Sequence, residues 1–199
     1  PIYLARLNTH TGSSLWRDVK VYQDHAYIVS DSNGNHGVQI FDLTRLRTLT
    51  GSPVVTFTNS QVDGRLSLIG SAHNVIINEE TGFLYVLGAG TNGNNQRIFN
   101  LNSSLTNPPS VAILSAYGYC HDAQVVIYDG PDPDHQGKEL FIGSFSGSDF
   151  LRILDVTNKA SITQIGVIDY TNKYYTHQGW FTEDKRFFIV GDEVDEENI

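Results

Sequence analysis

His73-Asn-Val-Ile-Ile-Asn78 and, after a short polar turn, Phe83-Leu-Tyr-Val-Leu-Gly88 form the clearest pair of strands in the chain. Both are short β-branched or aromatic runs bounded by turn-forming residues, and neither is long enough for a buried helix. The same layout recurs three more times. Arg17-Asp-Val-Lys-Val-Tyr22 is followed by His25-Ala-Tyr-Ile-Val-Ser30, and His121-Asp-Ala-Gln-Val-Val-Ile127 by Leu140-Phe-Ile-Gly-Ser144. His177-Gln-Gly-Trp-Phe181 is followed by Phe187-Phe-Ile-Val-Gly191. The units open at residues 17, 73, 121 and 177, a repeat of about fifty residues.

Each of the first three units continues with a third strand of one pattern: Val38-Gln-Ile-Phe-Asp-Leu43, Arg97-Ile-Phe-Asn-Leu101 and Leu151-Arg-Ile-Leu-Asp-Val156. A Gly/Asn/Ser-rich turn precedes each, at 31–37, 88–95 and 144–149; such residues accept the positive φ of a tight hairpin. A fourth strand is expected at Val54-Val-Thr-Phe-Thr58, Ser110-Val-Ala-Ile-Leu114 and Ile162-Thr-Gln-Ile-Gly-Val-Ile168. Four short antiparallel strands per unit, without an amphipathic helix, predict an all-β fold: a β-propeller of four-stranded antiparallel blades. The blade units fall at about 16–60, 70–115, 119–169 and 175–199, and residues 1–7 read as the outermost strand of a preceding blade. This is about four blades' worth of one domain and reads as part of a larger ring. Closure as a four-bladed ring, with the N-terminal strand completing the last blade, is the alternative.

Composition narrows the partners. Lys+Arg 13 against Asp+Glu 22 leaves a net charge of −9, which disfavours nucleic acid and anionic membrane surfaces, since both need clustered cations. The 40 % hydrophobic content supports a real core, yet no run of about 18 apolar residues exists to span a bilayer. Cys120 is the single cysteine, so no intrachain disulfide forms. The chain lacks Met and the apolar core of a signal peptide at its start, and reads as a processed or truncated piece.

Five stretches together resemble the LVIVD-repeat, or choice-of-anchor B, β-propeller family. They are Ser14-Leu-Trp-Arg-Asp-Val-Lys-Val-Tyr22, His36-Gly-Val-Gln-Ile-Phe-Asp-Leu-Thr-Arg-Leu46, Ala72-His-Asn-Val-Ile-Ile-Asn-Glu-Glu-Thr-Gly82, His121-Asp-Ala-Gln124 with Gly130-Pro-Asp132, and Thr176-His-Gln-Gly-Trp-Phe-Thr-Glu-Asp184. The resemblance covers nearly the whole chain. It implies a larger ring and an extracellular or cell-surface protein, and supplies no reaction.

Candidate chemistry starts with His73, His121 and His177, which hold one place in three successive units. First strands line the channel of a propeller, so equivalent side chains converge on one axis and could hold Zn²⁺. The competing reading is structural: a His opening an inner strand hydrogen-bonds the neighbouring blade's backbone. Arg17, Asp18, Asn74, Asp122 and Gln178, beside these positions, are candidate channel or substrate contacts. Asp132-Pro-Asp-His-Gln-Gly137, Asp31-Ser-Asn-Gly-Asn35 and the acidic run from Asp192 to Glu197 invite a Ca²⁺ reading. Position 12 of the first loop is Gly143 and no helices flank it, so hairpin loops and a solvated linker explain them better. Cys120 and His121 are sequence neighbours on a strand and face opposite ways, a poor dyad. Trp16 and Trp180 fit inter-blade packing better than sugar stacking, and Asn102-Ser-Ser104 is a glycosylation sequon.

No nucleophile elbow, P-loop or dinucleotide fingerprint occurs. The expectation is therefore an extracellular, non-enzymatic binding or structural module. It has a protein or glycan partner, or assembles with the rest of a parent chain. The alternative is a metal-dependent hydrolase or lyase with the His-lined site in the channel. A Ca²⁺-dependent adhesion module is the third reading. Zn and Ca are the cofactors considered.

Overall fold

The tight hairpin that starts the first unit shows how these sequences become sheets. Gln23 and Asp24 both take positive φ, 43° and 62°, the geometry of a two-residue turn whose twist matches its strands. The computed structural model describes residues 1–89, 96–146 and 150–193. Residues 90–95 and 147–149 of two expected turns, and 194–199 of the acidic run, lie outside the described residues.

In chain order, β1 (Ala5–Leu7) leads to β2 (Arg17–Tyr22), β3 (His25–Ser30), β4 (Val38–Asp42), β5 (Val55–Phe57) and β6 (Gly64–Leu66). The second unit supplies β7 (Asn74–Asn78), β8 (Phe83–Leu87), β9 (Arg97–Asn100) and β10 (Ser110–Ile113). The third supplies β11 (Asp122–Ile127), β12 (Glu139–Phe145), β13 (Phe150–Asp155) and β14 (Thr163–Ile168); the last pair is β15 (Thr176–Phe181) and β16 (Phe188–Asp192). Three four-stranded antiparallel sheets result, ordered β2-β3-β4-β6, β7-β8-β9-β10 and β11-β12-β13-β14, with β15-β16 as a two-stranded sheet. The all-β, four-stranded antiparallel reading therefore holds. No helix among the described residues is long and apolar enough to cross a membrane.

One strand assignment is corrected. The fourth strand of the first sheet is Gly64–Leu66, paired with β4, not Val54–Thr58. Residues 55–57 instead pair parallel with β1, Ala5 opposite Val55 and Leu7 opposite Phe57. Packing explains the exchange. Phe57 meets Phe41 edge-on at 4.8 Å, and the Arg45 guanidinium lies over both rings at 4.7 and 4.8 Å. At β6, a Cβ on Gly64 would collide with the Thr106 carbonyl, so only glycine fits there.

The sheets pack face to face in chain order. Tyr27, Val29 and Ile40 of the first meet Val75, Leu84, Val86 and Phe99 of the second. Ile76, Tyr85, Leu87 and Ile98 on its other face meet Val125, Phe141, Phe145 and Leu154 of the third. Tyr128, Leu140 and Ile142 meet Phe181 and Phe188 of the last pair. Val19 and Val21 at one end of this series, and Trp180, Phe187 and Ile189 at the other, remain exposed.

A buried carboxylate of the third sheet, held by a lysine of the same unit, ties that sheet to the second. Glu139, 3 % exposed, accepts from Lys159 Nζ at 2.6 Å on Oε2. Its Oε1 accepts from Asn78 Nδ2, Thr81 Oγ1 and Tyr85 O–H at 2.8–2.9 Å. Removing only the cation would strand that carboxylate. Lys159→Ala is expected to cost about 3–5 kcal/mol in urea unfolding; a loss below about 1 kcal/mol would show that the pair does not clamp the sheets.

Candidate functional site

His73 and His121 immediately precede β7 and β11, His177 is the second residue of β15, and the three side chains meet. Each is set by its backbone: His73 N–H donates to the Leu87 carbonyl at 3.0 Å and His121 N–H to the Ser144 carbonyl at 2.8 Å. Gly88, at φ +59°, runs so close that a Cβ would stand 2.5 Å from the His73 Cβ. Tyr175 precedes β15, its backbone N–H held by Asp192 Oδ1 at 2.8 Å.

The three imidazoles form a row. The His73 and His121 ring centroids are 4.1 Å apart and those of His121 and His177 are 4.6 Å apart, tilted 40° and 41°. Tyr175 closes on His121 edge-on at 5.4 Å. Hydrogen bonds fix two tautomers, since a carbonyl or carboxylate only accepts. His121 Nδ1 donates to the His177 carbonyl at 3.1 Å, and His73 Nδ1 donates to Asp31 Oδ2 at 3.0 Å. In His121, which burial keeps neutral, Nε2 is thereby left with its lone pair. The inter-unit backbone bond expected of an inner-strand histidine is thus made, at His121, and it consumes only one of the ring's two nitrogens.

The ligand atoms of His121, His177 and Glu193 all lie within 4.8 Å of one another; His177 Nε2 stands 3.8 Å from Glu193 Oε2. His73 is not in that compact set and stacks behind His121. Burial drives the His121 pKa down to about 4, helped by the neighbouring His73 and His177 and opposed by the His177 carbonyl and Glu193. A neutral imidazole is the form that ligates a metal, and a His, His, carboxylate set is a known catalytic-zinc donor combination. In Zn²⁺ sites, bonds of about 2 Å hold ligand atoms roughly 3.4 Å apart, so side-chain rotation of about 1 Å closes the set.

The remaining sequence-derived residues separate into two places. Asp18 Oδ2 accepts from Lys20 Nζ at 2.6 Å and from the Val75 backbone N–H at 3.1 Å, joining β2 to β7. Asn74 Nδ2 donates to Asp122 Oδ1 at 2.7 Å, while Asn74 Oδ1 is buried without a partner among the described residues. Lys20, Asn74, Asp122 and Trp180 share a groove of about 430 Å³, and Gln178 lies in the adjoining cavity beside Asp122 and Trp180. Burial raises the Asp122 pKa, against the Ala123 backbone N–H and Lys20. Arg17 departs from its counterparts. Its guanidinium turns to the N-terminal segment, donating through Nη2 to Thr9 Oγ1 and the Gly12 carbonyl, both at 3.0 Å.

Sequence reasoning did not single out Glu193 and Asp31 as partners of these histidines; both were absorbed into loops weighed for Ca²⁺. Those acids are employed locally. Asp132 Oδ1 accepts from the Asp134 N–H at 3.0 Å, an Asx-type cap, and Asp31 serves Ser32 and His73. Cys120 is fully buried, its thiol pKa pushed up by burial and Asp122, and its Sγ donates to the Asp122 carbonyl at 3.3 Å. Comparison with protein-family models, with curated proteins and with solved structures found no match for this chain.

The shifted imidazole gives a pH signature. Its folded pKa lies below the ordinary 6.5, so protonation favours the unfolded chain. The stability it supplies is complete above pH 6.5 and is lost as the pH falls through about 4. With chelator present, the difference in urea midpoint between the native chain and His121→Gln is expected to shrink across that window. A difference flat with pH would contradict a neutral, packed ring.

Proposed function

We propose that the chain forms consecutive blades of a β-propeller and serves as a binding module whose ligand end is the histidine row, holding a divalent transition ion through His121, His177 and Glu193. The ring is supported by the order of the sheets and by the contacts between the first strands of successive units. Asp18 bonds the Val75 N–H, Asn74 bonds Asp122, and Gln124 Oε1 accepts the Phe181 N–H at 2.8 Å. Exposed apolar residues on both end faces, Val19 and Val21 against Trp180 and Ile189, suit further blades of a larger ring, within an assembly formed with the rest of a parent chain. The resemblance to LVIVD-repeat propellers supports that reading and an extracellular or cell-surface setting.

The observation that carries the metal assignment is the closeness of the ligand atoms of His121, His177 and Glu193, all within 4.8 Å of one another. Within that set His121 spends its Nδ1–H on the His177 carbonyl, the arrangement that aims Nε2 at a cation. A Ca²⁺ ion, which takes six or more oxygens, suits this nitrogen-rich set poorly. Zn²⁺ or a similar borderline ion suits it well. Three protein ligands leave a coordination position for water, and this favours a second reading, metal-assisted hydrolysis or lyase chemistry with substrate in the groove beside Asp122.

Elemental analysis and titration with Zn²⁺ decide the matter. One ion per chain is expected. His121→Ala and Glu193→Gln should each weaken binding by about 100-fold or more, against a loss of about tenfold for His73→Phe. Absence of stoichiometric ion, or affinity unchanged in His121→Ala, would overturn the metal assignment. Ion-dependent turnover of ester or glycan substrates, lost in the same variants, would select the enzymatic reading.

A further inference from the structure

The cavity on the open face of the first sheet has the opposite electrostatic character from the rest of the molecule. It is an open cavity of about 640 Å³ whose lining includes Arg6 and Arg17, polar residues such as Thr9, Gln39 and Asn59, and the apolar Leu7 and Ile28; no acidic residue among the described residues lines it. The chain carries a net charge of −9, and the groove along the inner strands contains Glu79, Glu80 and Asp122. A cavity with two cations and no acid in such a chain selects anions.

The site is built. Buried Gln39 donates from Nε2 to the Asn8 carbonyl and to Asn59 Oδ1, both at 3.1 Å, and Asn59 Nδ2 donates to the Thr9 carbonyl at 2.8 Å. These bonds pin the N-terminal segment across the sheet. That segment in turn fixes Arg17: Nη2 donates to Thr9 Oγ1 and the Gly12 carbonyl. His36 gives its Nδ1–H to the Gly37 carbonyl at 2.9 Å, so its Nε2 accepts from Arg17 Nη1 at 3.4 Å. Arg17 keeps its Nε–H and one Nη1–H. Arg6 has no hydrogen bond or ion pair among the described residues, and is therefore a cation without a counter-ion. A held guanidinium beside a free one is a fork for a tetrahedral oxyanion.

The cores between the sheets are built largely of apolar residues such as Leu84, Val86, Phe141 and Phe181. Two arginines beside an apolar floor set this cavity apart from them. We infer that this cavity binds the phosphate or sulfate group of a small polar molecule, with Arg6 and Arg17 as the recognising residues. The volume suits an organic body larger than an inorganic ion.

Calorimetry with glucose 6-phosphate, glucose 6-sulfate and unsubstituted glucose tests this, in chelator so that the histidine row cannot contribute. The two anions should bind and glucose should not; the tighter anion identifies the source of the oxyanion. Arg6→Gln, at an exposed side chain without partners, should weaken both at least about tenfold while leaving the melting temperature unchanged. Arg17→Lys should weaken both as well, and His121→Ala should leave both unaltered. Failure of both anions to bind at about millimolar concentration, or equal binding in Arg6→Gln, would overturn the proposal.

Discussion

The middle strand β8 is buried on both faces, and alternation along it assigns its residues to one of two cores. In β8, Leu84 and Val86 enter the core shared with the first sheet, and Tyr85 and Leu87 enter the core shared with the third. A slip of one residue would exchange the two sets. It would also carry the Tyr85 hydroxyl away from Glu139, whose carboxylate it reaches at 2.8 Å. Register is therefore fixed twice, by apolar volume and by a buried charge that tolerates no missing donor. Everything at the ends of the strands inherits its position from this double constraint.

The inner strands show what that positioning does. Where neighbouring first strands approach, side chains rather than backbone ladders bridge them: Asp18 to the Val75 N–H, Gln124 to the Phe181 N–H, His121 to the His177 carbonyl. These latches hold the spacing between sheets at the same end where the imidazoles gather. Rings at 4.1 and 4.6 Å cannot all be charged, and burial supports the neutral state of the middle one. A neutral middle imidazole with a spare ring nitrogen is unusual for a purely structural contact, because one donor already completes the latch.

Much of this was legible in the sequence because strand and turn chemistry is local. The three-strand pattern of the first three units, and the turn-forming stretch 31–37, needed no knowledge of neighbours. The fourth strand of the first sheet was not legible. Val54-Val-Thr-Phe-Thr58 has the stronger alternation, but Phe57 is drawn to Phe41 and Arg45. Gly64-Arg-Leu66 looks like a turn until the Thr106 carbonyl that excludes a side chain is in place. Likewise the repeat aligned His73, His121 and His177, but could not add Glu193. That residue reaches the row through the end of β16, after a loop in which Asp192 anchors the Tyr174 and Tyr175 N–H groups.

The one unit that breaks the histidine repeat gives the last step. Residues 17, 73, 121 and 177 open equivalent strands, and only position 17 is Arg. An imidazole there would offer a neutral nitrogen to a cation; a guanidinium has only donors and a permanent charge. On the proposed assignments, the same place in the repeat goes from metal ligand to oxyanion ligand with a single change of residue type. The surroundings agree with that change. His73 and His177 stand beside Asp31 and Glu193, whereas Arg17 meets only carbonyl, hydroxyl and imidazole acceptors, leaving its charge uncompensated. Two ligand chemistries of opposite charge can thus be carried by one repeated scaffold, because the fold fixes where the side chain stands and leaves its chemistry free.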